Sequence, residues 1–263
     1  MRCRLVFCLA LLAPAAFGAG AALTRDKVNE ANDPLTAKLT LSLQDQYVGS
    51  YKELSPDSHS NEASLSATIP HKLFDVPLIL RATLPVVTTP DHPLPTTTGL
   101  GDLTISELLL FKWYEQEFAI GPIFTFPTAT EEATGTGKWQ AGAAAASIET
   151  ESWGLFGALV TYQHSFAGES GRPRQSVLQA QPFITVNLPA AFYLRTTAVW
   201  TFDLEQKTHV IPVGIGAGKV WLFRGGTTLN TYVEPQLTVA HEGVVPAWQI
   251  FAGINCQFPV GVR

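Results

Sequence analysis

Alternation with a period of two is the feature that constrains this chain most, because it recurs in segment after segment and no sustained helical period competes with it. In "LNTYVEPQLTVA", residues 229–240, every second residue is polar: Asn230, Tyr232, Glu234, Gln236 and Thr238. The intervening positions are Leu229, Thr231, Val233, Pro235, Leu237 and Val239. Neighbours in a strand point to opposite faces, so this stretch is a strand with one polar and one apolar face. Ala37, Leu39, Leu41 and Leu43 alternate in the same way with Lys38, Thr40, Ser42 and Gln44, as do Ala63, Leu65, Ala67 and Ile69 with Ser64, Ser66 and Thr68. Counting such segments from residue 36 to residue 258 predicts an all-β fold of about twelve strands.

A soluble sandwich would turn the polar face to water, whereas a transmembrane barrel turns the apolar face to lipid and the polar face inward. The connections decide between them. Short turns fall at "HKLFD", "WYEQ", "ETES", "LPAA" and "FRGG"; the intervening connections include "GSYKELSPDSHS", "TTPDHPLPTTT", "PTATEEATGTG" and "AGESGRPRQ". Short turns at one rim and longer loops at the other, with an even strand number, predict an antiparallel up-and-down barrel whose short rim is periplasmic. Aromatic residues collect near both rims: Trp113, Tyr114, Trp153, Phe192 and Trp221 beside short turns, and Tyr47, Phe124, Trp139, Tyr162 and Trp248 toward long loops. Two such bands match the interfacial girdles of a bacterial outer-membrane barrel, where amphipathic rings sit at headgroup depth. Pro122, Pro182, Pro212 and Pro235 fall inside proposed strands, and each removes a ladder donor, so bulges are expected there.

The N-terminus reads "MRCRLVFCLALLAPAAFGAGAALTRDK", two arginines followed by an apolar run and small residues. This predicts a secretory signal peptide over residues 1–21, an N-terminal periplasmic segment over 22–34, a barrel over 35–258 and a C-terminal tail over 259–263. Removing the signal takes Cys3 and Cys8 and leaves Cys256, so no intrachain disulfide is expected. The whole chain has 17 Lys+Arg against 22 Asp+Glu; without Arg2 and Arg4 the basic count is 15 and the formal charge −7, which is unlike a nucleic-acid binder. Charged residues make up 15% of the chain, against about 25% in soluble domains.

Charges on the polar faces are the candidate functional residues. Alternation sends Lys38, Arg81, Asp102, Arg195 and Glu234 toward the lumen, and ionised groups have reason to meet one another there rather than face hydrocarbon. Lys38 and Arg195 are each two strands from Glu234 once the barrel closes, which makes them the expected partners. Either bracing of a narrow lumen or selectivity could be the role of such wall charges. The final strand, residues 246–258, ends on an aromatic, Phe258, placed like an assembly signal read by the barrel-assembly machinery, although "PVGVR" follows it.

No catalytic, metal or cofactor site is expected. "GTGKW" at residues 135–139 lacks the spacing and the Ser/Thr of a phosphate loop and reads as an outer loop, as do Glu131 and Glu132. Gly214, Gly216 and Gly218 recur along one strand and thin one face of the wall, with Val213, Ile215 and Ala217 facing lipid. His164 and Ser165 would be the pair for a membrane phospholipase, but consecutive strand residues point to opposite faces. His59, His92, His164, His209 and His241 map to the outer loops or their rims and His71 to a short turn, without a close-spaced ligand pair.

Several ordered stretches resemble one family: "TGLGDLTISELLLF" at 98–111, "GPIFTFPTATEEATGTGKW" at 121–139, "QPFITVNL" at 181–188 and "IPVGIGAGKVW" at 211–221. Together they are similar to the meta-pathway phenol-degradation family of outer-membrane proteins, over most of the chain from about residue 80 to residue 258. The resemblance implies a transporter-like outer-membrane barrel passing small hydrophobic or aromatic solutes. No catalytic residue comes with it. The expected partners are outer-membrane lipid, the barrel-assembly machinery and a small solute. The alternative is a closed structural or adhesive barrel acting through its extracellular loops.

Overall fold

The computed structural model describes residues 23–54, 58–90 and 95–259; the signal peptide expected over 1–21 lies outside them. After a helix, α1 (Arg25–Asn32), the chain forms fifteen strand segments: β1 (Leu39–Tyr51), β2 (Ser60–Leu73), β3 (Val76–Thr88), β4 (Thr98–Leu100), β5 (Leu103–Trp113), β6 (Gln116–Phe126), β7 (Lys138–Glu151), β8 (Gly154–Gly168), β9 (Ser176–Asn187), β10 (Phe192–Thr196), β11 (Trp200–Asp203), β12 (Thr208–Gly214), β13 (Gly216–Leu222), β14 (Thr228–Glu242) and β15 (Pro246–Phe258). Three wall strands are interrupted: β4 and β5 both pair with β3, β10 and β11 both pair with β9, and β12 and β13 both pair with β14. The segments therefore make twelve antiparallel wall strands. β15 pairs with both β14 and β1, which closes the barrel and leaves no sheet edge.

The two faces of the wall separate as the alternation predicts. Leu237 (62% exposed), Val239 and Ile215 face outward, while Glu234 (0% exposed), Asn230 and Gln236 face the lumen. Short turns close one end; between β2 and β3 Phe74 and Asp75 both take positive φ, the backbone of a two-residue type I′ hairpin turn. Exposed Phe74, Trp113, Tyr114, Trp153 and Phe192 ring that end, and exposed Tyr47, Phe124, Trp139, Tyr162 and Trp248 ring the wall toward the long loops. These are the two bands expected of interfacial girdles.

Each of Pro122, Pro182, Pro212 and Pro235 coincides with an irregularity: the β5–β6 ladder is missing opposite Pro122, between Ile123 and Ile120. β9 pairs with β10 at Ile184–Thr196 and with β11 at Ala180–Trp200, so the ladder is missing around Pro182, which has no N–H to give. Pro212 coincides with a register shift between β12 and β14, and the Trp200 indole donates to its carbonyl at 3.2 Å. Pro235 keeps its ladder with β15 but on its other edge lies at the break between β12 and β13, where pairing to β14 passes from Gln236 to Val233; its side chain faces outward.

The segment before β1, expected as a periplasmic extension of the barrel, folds into the short-turn end of the lumen. Val28 and Ala31 of α1 are buried against Tyr193, Val220 and Tyr232. Leu35 is buried against Ile79, Leu108, Ala119, Ala144, Ala146 and Ile148 on another part of the wall. The sequence reason is the placement of apolar residues: Val28, Ala31 and Leu35 recur at spacings of three and four in an otherwise polar stretch.

Candidate functional site

The lumen is the candidate site, and its most ordered feature is built around Glu234. Alternation along β14 points this carboxylate inward with Asn230, Tyr232 and Gln236. Arg195 Nε donates to Glu234 Oε2 at 3.0 Å, Thr197 Oγ1 to Oε2 at 2.8 Å, the Thr197 backbone N–H to Oε1 at 2.9 Å and Gln236 Nε2 to Oε1 at 3.0 Å. A fully buried carboxylate is tolerated only with this density of donors and a counter-charge. The backbone donor exists because the wall strand breaks between β10 and β11: released from the ladder opposite Pro182, Thr197 turns its amide to Glu234. Its carbonyl accepts from Gln181 Nε2 at 2.8 Å.

Arg195 lies on β10, and β13 runs between it and Glu234 on β14. Glycines clear the way. A Cβ on Gly216 would come within 2.7 Å of Glu234 Cβ, and one on Gly218 within 2.2 Å of the Tyr193 ring. Tyr193 uses that space to donate to Asn230 Oδ1 at 2.6 Å. The glycines expected to thin the wall thus form the groove through which two side chains reach across a strand. The Arg195 guanidinium also stacks on the Tyr232 ring, 3.6 Å from its centroid.

Amides extend the network in both directions. Toward the long-loop end Gln46 donates to Gln249 at 3.0 Å, Gln249 to Gln236 at 2.6 Å, and Gln236 to Glu234. Toward the short-turn end Asn230 Nδ2 donates to the Ala31 carbonyl and to Asn32 Oδ1, each at 3.0 Å. Asn29 Nδ2 donates to the Glu151 carbonyl at 2.9 Å, and Asn187 Nδ2 to Asn29 Oδ1 at 2.7 Å. The N-terminal segment is therefore fixed to the wall by both polar and apolar contacts. Above it the lumen holds a cavity of about 470 Å³, lined mainly by amides and hydroxyls with Arg81, Arg195, Phe183, Tyr232 and Phe251.

The five candidate charges do not form one cluster. Arg195 meets Glu234 as expected. Lys38 instead pairs with Glu30 of α1 at 2.9 Å. It precedes β1 at the short-turn end, whereas Glu234 is level with Phe251 and, across β15, with Gln46; proximity in strand order is not proximity in height. Arg81 donates to the Pro34 carbonyl at 2.9 Å and to Thr68 Oγ1 at 3.3 Å. Asp102, in the break between β4 and β5, accepts from the backbone N–H groups of Ala129 and Thr136 and from the Thr136 hydroxyl, pinning the 127–137 loop. Phe258 ends β15 opposite Leu39.

Glu30, Tyr193, Asn230 and Thr197 are members of the site that charge counting missed. Asn230 and Tyr232 were visible on the polar face of "LNTYVEPQLTVA"; Thr197 was signalled only indirectly, by a proline in the neighbouring strand. Residues 1–22 and His92 lie outside the described residues. His71, expected in a short turn, lies in β2 on the outward face, where its Nε2 is 2.9 Å from Glu107 Oε1 of β5. Ser165 is buried and His164 is on the other face of β8. Among the described residues no group of three or more His, Cys, Asp and Glu is placed to hold a metal ion.

No family model matches the chain, and no curated protein matches it; the resemblance to the phenol-degradation family rests on the quoted stretches alone. Among solved structures it is similar to the COG4313 outer membrane channel from Pseudomonas putida F1, at 16% identity and a TM-score of 0.65, over 86% of this chain and 98% of that one. It also matches the KdgM porin in complex with disordered oligogalacturonate (10% identity, TM-score 0.44, 85% and 99% covered) and the beta domain of the Bordetella autotransporter BrkA (11%, 0.45, 84% and 100%). The first likeness shows the fold, a closed twelve-stranded antiparallel barrel.

Proposed function

We propose that this chain is a channel of the bacterial outer membrane for passive passage of small solutes, closed at its periplasmic end by its own N-terminal segment. The observation that carries this reading is the closed wall with an apolar outer face around a polar cavity of about 470 Å³. An apolar band between two aromatic girdles suits lipid, and a polar interior suits water and solute. Phe258, at the end of the closing strand, is the residue we assign to recognition by the assembly machinery. No catalytic step is part of the proposal, since His164 and Ser165 diverge and passage needs only a lining.

The resemblance implied hydrophobic or aromatic solutes. Phe183, Tyr232 and Phe251 offer apolar surface in the cavity, and most other lining groups are amides and hydroxyls. A small solute with a compact apolar body and polar substituents suits this lining better than a hydrocarbon. The competing reading, a closed structural barrel, draws on the same segment: its hydrogen bonds to Asn230, Glu151 and Asn187 could hold it permanently in place. Planar bilayers separate the two. Purified full chain should give discrete conductance steps; silence where a control porin conducts would favour the closed barrel. Recovery with soluble periplasmic protein on fractionation would contradict the membrane reading.

A further inference from the structure

Several cations on the lumen side are matched to carboxylates, while Lys138 at the long-loop rim donates to the Glu169 carbonyl. Arg195 has Glu234, Lys38 has Glu30, and Lys112 at the short-turn rim has Glu117 at 2.5 Å. Arg81 of β3 has only neutral partners, the Pro34 carbonyl and the Thr68 hydroxyl, and no carboxylate contacts it among the described residues. Its neighbours across the ladders, Thr68 and Ser106, are neutral, as is Thr83 on the same face of β3. Glu62, the lumen-facing acid of β2, lies six residues farther toward the long-loop end than Thr68. A guanidinium has five N–H donors in a planar fork, and two hydrogen bonds leave most of them for another acceptor.

This group lines the cavity together with Leu159, Phe183 and Gln181, and with Asp33, Asp45 and Glu62, none of which contacts it. A guanidinium that no carboxylate contacts, in a cavity that also presents apolar side chains, is the complement of a carboxylate attached to a small apolar body, because the fork binds both carboxylate oxygens at once. Resting on the channel reading, we propose that Arg81 is the recognition point for the carboxylate of a small organic acid entering from the outer mouth, and that the carboxylate takes the guanidinium from the Pro34 carbonyl. Pro34 connects α1 to Leu35, so the solute loosens the segment that closes the lumen. Recognition and opening then share one side chain. The exchange breaks one bond from the guanidinium to a neutral carbonyl and forms a bidentate pair with an ionised acceptor, the stronger and more directional of the two.

The test uses the full chain in detergent micelles, with sodium benzoate as probe, benzamide as its uncharged counterpart and inorganic phosphate as a second anion, read by titration calorimetry. Benzoate should bind at least about tenfold more tightly than benzamide, and Arg81→Gln should remove that difference. Phosphate should bind more weakly than benzoate. If Arg81→Gln does not fold, Arg81→Lys keeps the charge and loses the fork, and should weaken benzoate several-fold. Hydrogen exchange of the backbone amides of residues 25–36 should quicken on adding benzoate in the parent chain. Equal binding of benzoate and benzamide, phosphate bound as tightly as benzoate, unchanged binding in the Lys variant, or exchange that benzoate leaves unaltered would overturn the proposal. Conductance is read separately: steps without benzoate binding would reject this site and leave the channel standing.

Discussion

The two sides of the lumen hold the same N-terminal segment by different proportions of burial and hydrogen bonding. On the side of β10, β13 and β14 directional contacts are added to the burial of Val28 and Ala31: Asn230 grips the end of α1, Tyr193 holds Asn230, and Arg195 and Glu234 stand behind them in a groove of glycines. On the side of β3, β5, β6 and β7 the wall presents Ile79, Leu108, Ala119, Ala144, Ala146 and Ile148, and the contact is the burial of Leu35 with a single hydrogen bond, from Arg81 to the Pro34 carbonyl. Burying a leucine contributes about 1.5–3 kcal/mol, and a neutral hydrogen bond about 0.5–1.5 kcal/mol net. Both sides therefore hold the segment by apolar burial, and the network of hydrogen bonds around Asn230 fixes its register. A segment built this way can shift as a unit without unfolding the wall.

The largest effect should come from breaking the polar side. Arg195→Met leaves Glu234 buried without its cation and should cost about 3–5 kcal/mol, seen as a lower melting temperature in detergent. Pairing it with Glu234→Gln should recover a substantial part; if the double variant is as unstable as the single one, the ion pair is not what holds this side.

Leu35→Ala tests the other side. A cost of about 2–5 kcal/mol is expected, confined to docking of the segment. Hydrogen exchange should rise over residues 25–36 while the barrel strands stay protected. Loss of protection in β3 or β7 would mean that Leu35 supports the wall itself.

A smaller effect is expected from overfilling the groove. Gly216→Val drives a side chain into Glu234 and should cost about 1–3 kcal/mol in thermal stability, while Gly171→Val, with nothing within 4 Å of its Cβ, should be close to neutral. Equal melting temperatures would show that Arg195 does not need the groove.

A separate effect is pH. Burial pushes the Asp33 carboxyl up to about 7, aided by nearby Glu117 and Glu30 and opposed by the Leu35 N–H and Lys112. The docked carboxyl therefore holds its proton more tightly than it does in the free segment, so docking is strongest at low pH. It weakens as pH rises from about 4 through 7. Exchange over residues 25–36 should be slower at pH 5 than at pH 8 after correction for the intrinsic rate, and Asp33→Asn should flatten the difference.

Much of this was legible from alternation alone: the twelve wall strands, the inward face of "LNTYVEPQLTVA" and the Arg195–Glu234 pair. Period two fixes which face a residue takes and strand order fixes its neighbours, but height along the barrel depends on stagger, which is why Lys38 was matched with Glu234 and not Glu30. Asp102 sits at a break in its strand, where alternation does not announce its partners, the Ala129 and Thr136 groups of the following loop. That the N-terminal segment enters the lumen is not legible in the sequence, because its eight helical residues, "RDKVNEAN", carry little apolar surface and their partners on the wall come together only when the barrel closes.

The central claim is that this segment closes the lumen, and Leu35→Asp tests it most directly, because it places a charge in the apolar socket and leaves every strand unchanged. Single-channel recordings in planar bilayers would compare it with the parent chain. The account predicts small, brief steps from the parent and larger, long-lived steps from Leu35→Asp at the same voltage and salt. Identical step size and duration in the two, with the variant still folded by its heat-dependent gel mobility, would contradict it.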